Sequence, residues 1–308
     1  MTTSSATSPV KDRVGFVGTG IMGAPMARNA LKAGFAVTVT NRTIDRAKPL
    51  ADAGAALVRT PREVAERSDI VVTIVTNTPD VEAVMFGPDG VARGAHEGLL
   101  AIDMSTISPA ATRDIAKRAA ANRPAFRTLD APVSGGEVGA IEARLAIMVG
   151  GDEGDVKRAM PLFEALGKTI VHIGDHGAGQ ACKLANQIAV AINNLGVSEA
   201  LVFAKAQGID LERTRQVIAG GAGSSWAMQN YAPKMLAGDF RAGFMVDLQQ
   251  KDLRLVLDNA FVDHVSLPGT ALVHALYNAL QQGGGGREGN HALLKVIERL
   301  SGVEARQR

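Results

Sequence analysis

The chain has 308 residues, 46% of them apolar and 21% charged, which is globular composition with length for about two domains. Its 33 Lys and Arg against 31 Asp and Glu leave a formal charge of +2, so there is no electrostatic case for nucleic acid or for an acidic membrane surface. A single cysteine, Cys182, excludes an internal disulfide and a cysteine-rich metal cluster and fits a reduced, cytoplasmic setting, while 4% aromatics argue against a base-stacking platform.

In chain order, residues 1–12 read as a loose polar tail with no basic start or apolar stretch of a secretory signal. From residue 13 strand and helix signals alternate. Apolar or β-branched runs at 13–18, 36–40, 70–75, 99–103, 145–149 and 169–173 predict strands. Residues 24–33, 44–53 and 110–121 between them predict helices. Strands apolar on both faces and separated by helices imply a doubly wound parallel α/β sheet, covered on both sides. Beyond Gly179 the strand signal stops. Residues 180–207 hold no proline and one glycine and predict one long, largely buried helix. Further helices are expected near 211–218, 245–261, 271–282 and 291–301, with a mobile glycine tract at 283–286. The expected organisation is a dinucleotide-binding domain over 13–175 and an all-helical domain over 176–308, joined by the long helix. No window of about eighteen uninterrupted apolar residues predicts a membrane span.

The first motif is Gly18-Thr19-Gly20-Ile21-Met22-Gly23, a G-x-G-x-x-G run between a predicted strand and a predicted helix within about thirty residues of βαβ. Gly18 serves the tight turn, Gly20 the approach of a pyrophosphate, and Gly23 the packing of helix on strand. The helix start offers free amides and a positive dipole end to phosphates. The competing reading is an ordinary strand-turn-helix. The end of the second strand is Asn41-Arg42-Thr43, without the carboxylate that would bind the ribose hydroxyls of NAD. A guanidinium there suits a 2′-phosphate, so NADP(H) is the expected cofactor and NAD(H) the second choice. Val75 ends the third strand and Thr76 follows it, at the edge where open α/β sheets bind ligands.

Five ordered motifs extend this pattern. They are GFVGTGIMGAPMARN at 15–29, DMSTISP at 103–109, DAPVSGG at 130–136, GAGQACKLANQ at 177–187 and FMVDLQQKDLRLV at 244–256. Together they resemble the β-hydroxyacid dehydrogenase family, the group of 3-hydroxyisobutyrate dehydrogenase and tartronate semialdehyde (2-hydroxy-3-oxopropionate) reductase. The resemblance implies that Thr76 and Thr106 contact the cofactor, that Ser134, Gly135 and Gly136 bind the substrate carboxylate, and that Lys183 is the catalytic lysine. It also places Lys251 near nicotinamide and substrate, and implies a homodimer or homotetramer. Two stretches depart from the family pattern: Thr76-Asn77-Thr78-Pro79 is more polar, and Glu288-Gly289-Asn290-His291 lacks an acidic cluster.

Each assignment has a plainer alternative. Ser108 or Thr106 would serve as a helix N-cap, and Ser134-Gly135-Gly136 as a glycine turn. Lys183 and Asn186, three apart, share one face of the long helix, with Asn186 orienting the ammonium or binding substrate oxygen. A lysine among Ala181, Leu184, Ala185 and Ile188 is otherwise a snorkelling side chain with a wet head. Lys251 reads alternatively as a salt-bridged surface lysine. Trp226 reads as a wall of the substrate pocket or as a core residue, and Cys182 as a packing residue. The six histidines show no metal-ligand spacing, so no metal is expected. The expected reaction is reversible reduction of a short semialdehyde acid such as tartronate semialdehyde, glyoxylate or succinic semialdehyde, with Lys183 as general acid and base. The alternatives are an imine reductase of the same fold and a non-catalytic NADP-binding module.

Overall fold

Residues 11–306 are described by the computed structural model of the chain, and packing divides them between Gln180 and Ala181 into two compact units. In the first unit the short apolar runs become β1 (Val14–Val17), β2 (Val37–Thr40), β4 (Ile70–Thr73) and β5 (Leu100–Asp103), with β3 (Ala56–Leu57) and β6 (Arg127–Asp130) beside them. These pair in parallel in the order β3-β2-β1-β4-β5-β6. That order reverses between β1 and β4, so ligand-binding groups belong at their carboxyl ends. The expectation of an all-parallel sheet needs one correction. β8 (Leu145–Gly150) runs antiparallel to β6 and to the two-residue β7 (Val133–Ser134), and β9 (Gly167–Gly174) then pairs parallel to β8.

Every residue of β1, β2, β4 and β5 is buried, because helices cover both faces. On one face Phe16, Val39, Ile70, Val72 and Ile102 meet Met26, Ala27 and Ala30 of α1 (Gly23–Lys32). Phe163 of α7 (Glu153–Leu166) joins them. On the other face Val17, Val71 and Ala101 cluster with α3 (Pro61–Glu66), α4 (Thr78–Phe86) and α5 (Pro109–Ala121). The helix expected over 44–53 is a 3-10 turn, Ile44–Ala47, followed by the single turn α2 (Lys48–Ala51). A further short helix, α6 (Gly136–Ile141), follows β7. Of the expected tail, residues 1–10 lie outside the described residues. Lys11 donates to the carbonyl of Ala33, and Asp12 pairs with Arg158 at 3.1 Å.

The long helix, α8 (Ala178–Ala206), begins in the first unit and continues as the spine of the second. It is long and apolar enough to cross a membrane by length and composition, but half of its most apolar window is buried and it carries Lys183, as a core helix does. The second unit adds α9 (Leu211–Gly220), α10 (Trp226–Asn230), α11 (Ala232–Leu236), α12 (Val246–Val262), α13 (Pro268–Gln282) and α14 (Leu294–Ser301). Their core gathers Leu195 and Leu201 from α8, Met228, Met235, Leu253, Tyr277 and Ile297. The glycine tract is not the loose loop its composition suggests. It forms a 3-10 turn, Gly285–Arg287, and a β-carbon on Gly285 would fall 2.7 Å from Leu280 while one on Gly286 would fall 2.4 Å from Asp247. Gly285 and Gly286 therefore have no room for a side chain, whereas Gly284, at φ +85, has open space around it and needs glycine for its backbone.

Candidate active site

The carboxyl edge of the sheet is built by backbone. Gly18 sits at φ +100, and a β-carbon there would lie 2.3 Å from the carbonyl oxygen of Ile74. Only glycine fits this turn, which packs against the chain leaving β4. A β-carbon on Gly23 would lie 2.0 Å from the Gly18 carbonyl, so α1 starts as close to β1 as two backbones allow. The missing side chain of Gly20 instead faces open space, with nothing within 4 Å. The turn therefore spends two glycines on its own packing and leaves the third as free access, the fit that a pyrophosphate requires. No acidic residue stands in the first turn of α1 to compete for that anion, and Ile21 is 44% exposed at the turn.

Side chains then pin the edge. Asn41 at the end of β2 accepts from the Thr19 amide at 3.2 Å and donates to the Thr43 carbonyl at 2.9 Å. The Arg42 side chain is 90% exposed, 3.8 Å from Asp80 on α4. β4 ends at Thr73, two residues earlier than its apolar run suggests, so Val75 and exposed Thr76 lie in the following turn. The Val75 amide donates to the Ser105 hydroxyl at 2.9 Å. The polar run after Thr76 has a local cause: Asn77 caps α4 by accepting from the Asp80 amide at 2.9 Å, and Pro79 sits in its first turn. Ser108 occupies the N-cap position of α5 without a capping bond from its side chain. Ser134 ends β7, and Gly135 and Gly136 follow at φ +135 and +61, a backbone that L side chains rarely adopt.

Two carboxylates missed in the sequence reading lie beneath this edge. Asp103 accepts from the Thr73 hydroxyl at 2.8 Å and from the Ser105 amide at 3.2 Å. Burial pushes its carboxyl up to about 6, against the pull of those bonds. Asp130, its register partner on β6, accepts from the Gly177 and Gln180 amides at 2.8 and 2.9 Å, and burial raises it too.

The helical unit holds the lysine differently. Lys183 is 6% exposed, so the snorkelling alternative falls. Its ammonium donates to the side-chain amide oxygen of Gln187, Oε1, at 2.9 Å, and the Asn186 side-chain amide donates to the same oxygen at 2.8 Å. The orienting partner is thus Gln187, one turn on, and not Asn186 as the spacing suggested. The Gln187 amide passes on to Asp252 of α12 at 2.6 Å, and Lys251 pairs with the same carboxylate at 2.9 Å. Burial lowers Lys183 to about 8, Asp252 pulling it up and Lys251 pushing it down. Lys251 is salt-bridged as its plainer reading had it, but to a buried carboxylate and with only 23% of its side chain exposed. Trp226, 57% exposed and edge-on to Tyr231 at 4.8 Å, is not a core residue. Cys182 is half-buried. Among the described residues no group of three or more His, Cys, Asp and Glu side chains is placed to hold a metal ion.

Comparison with known proteins covers almost the whole chain. Residues 13–174 match the model of the NAD binding domain of 6-phosphogluconate dehydrogenase, and residues 177–297 that of the NAD-binding domain of NADP-dependent 3-hydroxyisobutyrate dehydrogenase. The 2-hydroxy-3-oxopropionate reductase of Escherichia coli (strain K12) is 44% identical, over 94% of this chain and 98% of its own. The structure of Mycobacterium tuberculosis 3-hydroxyisobutyrate dehydrogenase with L-serine aligns with a TM-score of 0.85 at 32% identity, covering 94% of this chain and 99% of that one. The structure of Psf3 in complex with NADP+ and 2-OPP aligns at 0.85 with 25% identity, covering 92% and 99%.

Proposed function

From the premise that this chain belongs to the β-hydroxyacid dehydrogenase family of NAD(P)-dependent oxidoreductases, we propose that it reversibly reduces a short semialdehyde acid to its hydroxy acid, with Lys183 as the proton donor. The substrate class follows the reductase that is 44% identical, whose name gives 2-hydroxy-3-oxopropionate as its substrate. The observation that carries the reading is the ammonium of Lys183, fixed by Gln187 and lowered by its burial to about 8. A group poised there is charged at neutral pH yet gives up its proton readily, which suits a general acid in reduction and a general base in oxidation.

The cofactor, when bound, supplies the hydride. The turn from Gly18 to Gly23, with Ile21 and Met22, would hold its pyrophosphate, and Val75, Thr76 and Thr106 its nicotinamide end. NADP(H) is the preferred form in this reading. Arg42 and Thr43 present an exposed guanidinium and a hydroxyl at the end of β2, and Asn41 stands where an acidic residue would repel a 2′-phosphate. Ser134 with the amides of Gly135 and Gly136 would receive the substrate carboxylate. Lys183 neutralises the alkoxide that develops on reduction and then protonates it. Gln187 keeps the ammonium oriented, and Asn186 offers a further polar contact to substrate oxygen. Lys251 adds positive charge toward an acidic substrate, and exposed Trp226 forms one wall. Apolar side chains exposed in the helical unit, among them Phe203 at 65% and Phe261 at 83%, support assembly into a homodimer or homotetramer.

Replacing Lys183 by Met removes the proton donor and keeps the apolar stem. Turnover with tartronate semialdehyde, followed as NADPH oxidation, is expected to fall about 10²- to 10⁴-fold while NADP+ binding by calorimetry is retained. Turnover near the wild-type rate would overturn the assignment.

A further inference from the structure

The first turn of α8 reaches back to the edge of the sheet through one side chain. Gln180 is fully buried. Its amide nitrogen donates to the Ser105 carbonyl at 2.8 Å, and its amide oxygen accepts from the Ile107 amide at 3.1 Å. The two bonds straddle Thr106. Gln180 is fixed in turn, since its own backbone amide donates to Asp130 at 2.9 Å. On the other side of the turn the Ser105 hydroxyl accepts from the Val75 amide, so the chain leaving β4 is tied to the same segment. Donor and acceptor of one primary amide are both used, on groups two residues apart. A carboxylate of the same length lacks the donor, a methionine lacks both, and an asparagine falls one methylene short.

We propose that Gln180 is a positioning residue for the nicotinamide end of the dinucleotide: by clamping the backbone of residues 105–107 it sets the direction in which Thr106 is presented. The inference rests on the reading of Thr106 as a cofactor contact. Gln180 acts through that turn and does not reach the phosphate loop at Gly18–Gly23, so its loss is felt at one end of the cofactor only.

The test is calorimetric titration of the full chain with two probes. NADP+ carries the nicotinamide half; adenosine 2′,5′-bisphosphate lacks it. In Gln180→Met, NADP+ affinity is expected to fall about tenfold, the scale of one mis-set hydrogen bond, with the bisphosphate within about twofold of wild type. Thr106→Ala should weaken NADP+ similarly, and the double variant should be no weaker than either single one, because one side chain works through the other. Gln180→Asn keeps the amide and withdraws it, and serves with the same expectation if the methionine variant does not fold. Equal loss on both probes would mark Gln180 as a structural residue only, and additive losses in the double variant would show that it does not act through Thr106; either overturns the proposal. Wild-type protein that binds the bisphosphate but gains nothing from the nicotinamide half would instead overturn the reading of Thr106 on which it rests.

Discussion

The two units of this chain solve the same problem, a polar group fixed away from water, by opposite means. In the sheet unit the groups at the carboxyl edge are backbone amides and short side chains at strand ends, and buried polar residues serve the backbone: Asp103 holds the Ser105 amide, Asp130 holds the start of α8, Asn41 holds Thr19. In the helical unit the backbone is already saturated within helices. One charged side chain is held there only by other side chains, from Lys183 through Gln187 to Asp252. Backbone turns make a rigid cradle; a side-chain relay makes a group whose proton affinity can be tuned.

That contrast breaks most sharply at Gly23. A β-carbon 2.0 Å from the Gly18 carbonyl forces α1 away from β1. Gly23→Ala should cost about 1–3 kcal/mol of stability, as overpacking does, and cofactor affinity should fall well beyond tenfold in a calorimetric titration. The titration of Lys183 should be unmoved, since its partners lie in the other unit. Asp103→Asn probes the burial of charge under the edge. The folded carboxyl sits near 6 and the unfolded one at 3.8, so the folded state binds the extra proton between those values and loses that advantage as pH rises through 6. Asparagine keeps the acceptor for Thr73 and Ser105 and carries no charge. Denaturant unfolding should show the variant more stable than wild type by on the order of 1–2 kcal/mol above pH 6, after the unpartnered amide nitrogen is counted, and the gain should vanish as pH approaches 3.8. An unchanged difference across that range would contradict the assignment. Arg42→Ala is the mildest change, because the side chain is exposed. NADPH affinity should drop about tenfold with NADH affinity steady.

How much of this was readable from sequence follows the same division. β1, β2, β4 and β5 announce themselves because strands buried on both faces must be apolar throughout. β6 does not: Arg127, Thr128 and Asp130 are polar because their strand carries an ion pair to Asp155 and the anchor for α8. α7 was hidden by Pro161 and by a charged first turn. Glycines in a row suggested motion, where at Gly285 and Gly286 the packing of Leu280 and Asp247 leaves no room for a side chain. Among site residues, those on turns follow a motif. Gln187 was available from its i, i+4 spacing to Lys183, but Asp252 joins it only across 65 positions of chain, which no local pattern shows.

The proposed proton transfer depends on the ammonium of Lys183, and the titration of that group is the direct test. Single-turnover rates with NADPH and tartronate semialdehyde, measured from neutral to alkaline pH, should decline through about 8, while oxidation of the hydroxy acid rises through the same midpoint. Asp252→Asn, which removes the charge that holds Lys183 up, should move both limbs to lower pH. A wild-type rate that is flat through this range, or a midpoint that survives unchanged in Lys183→Met, would contradict the claim.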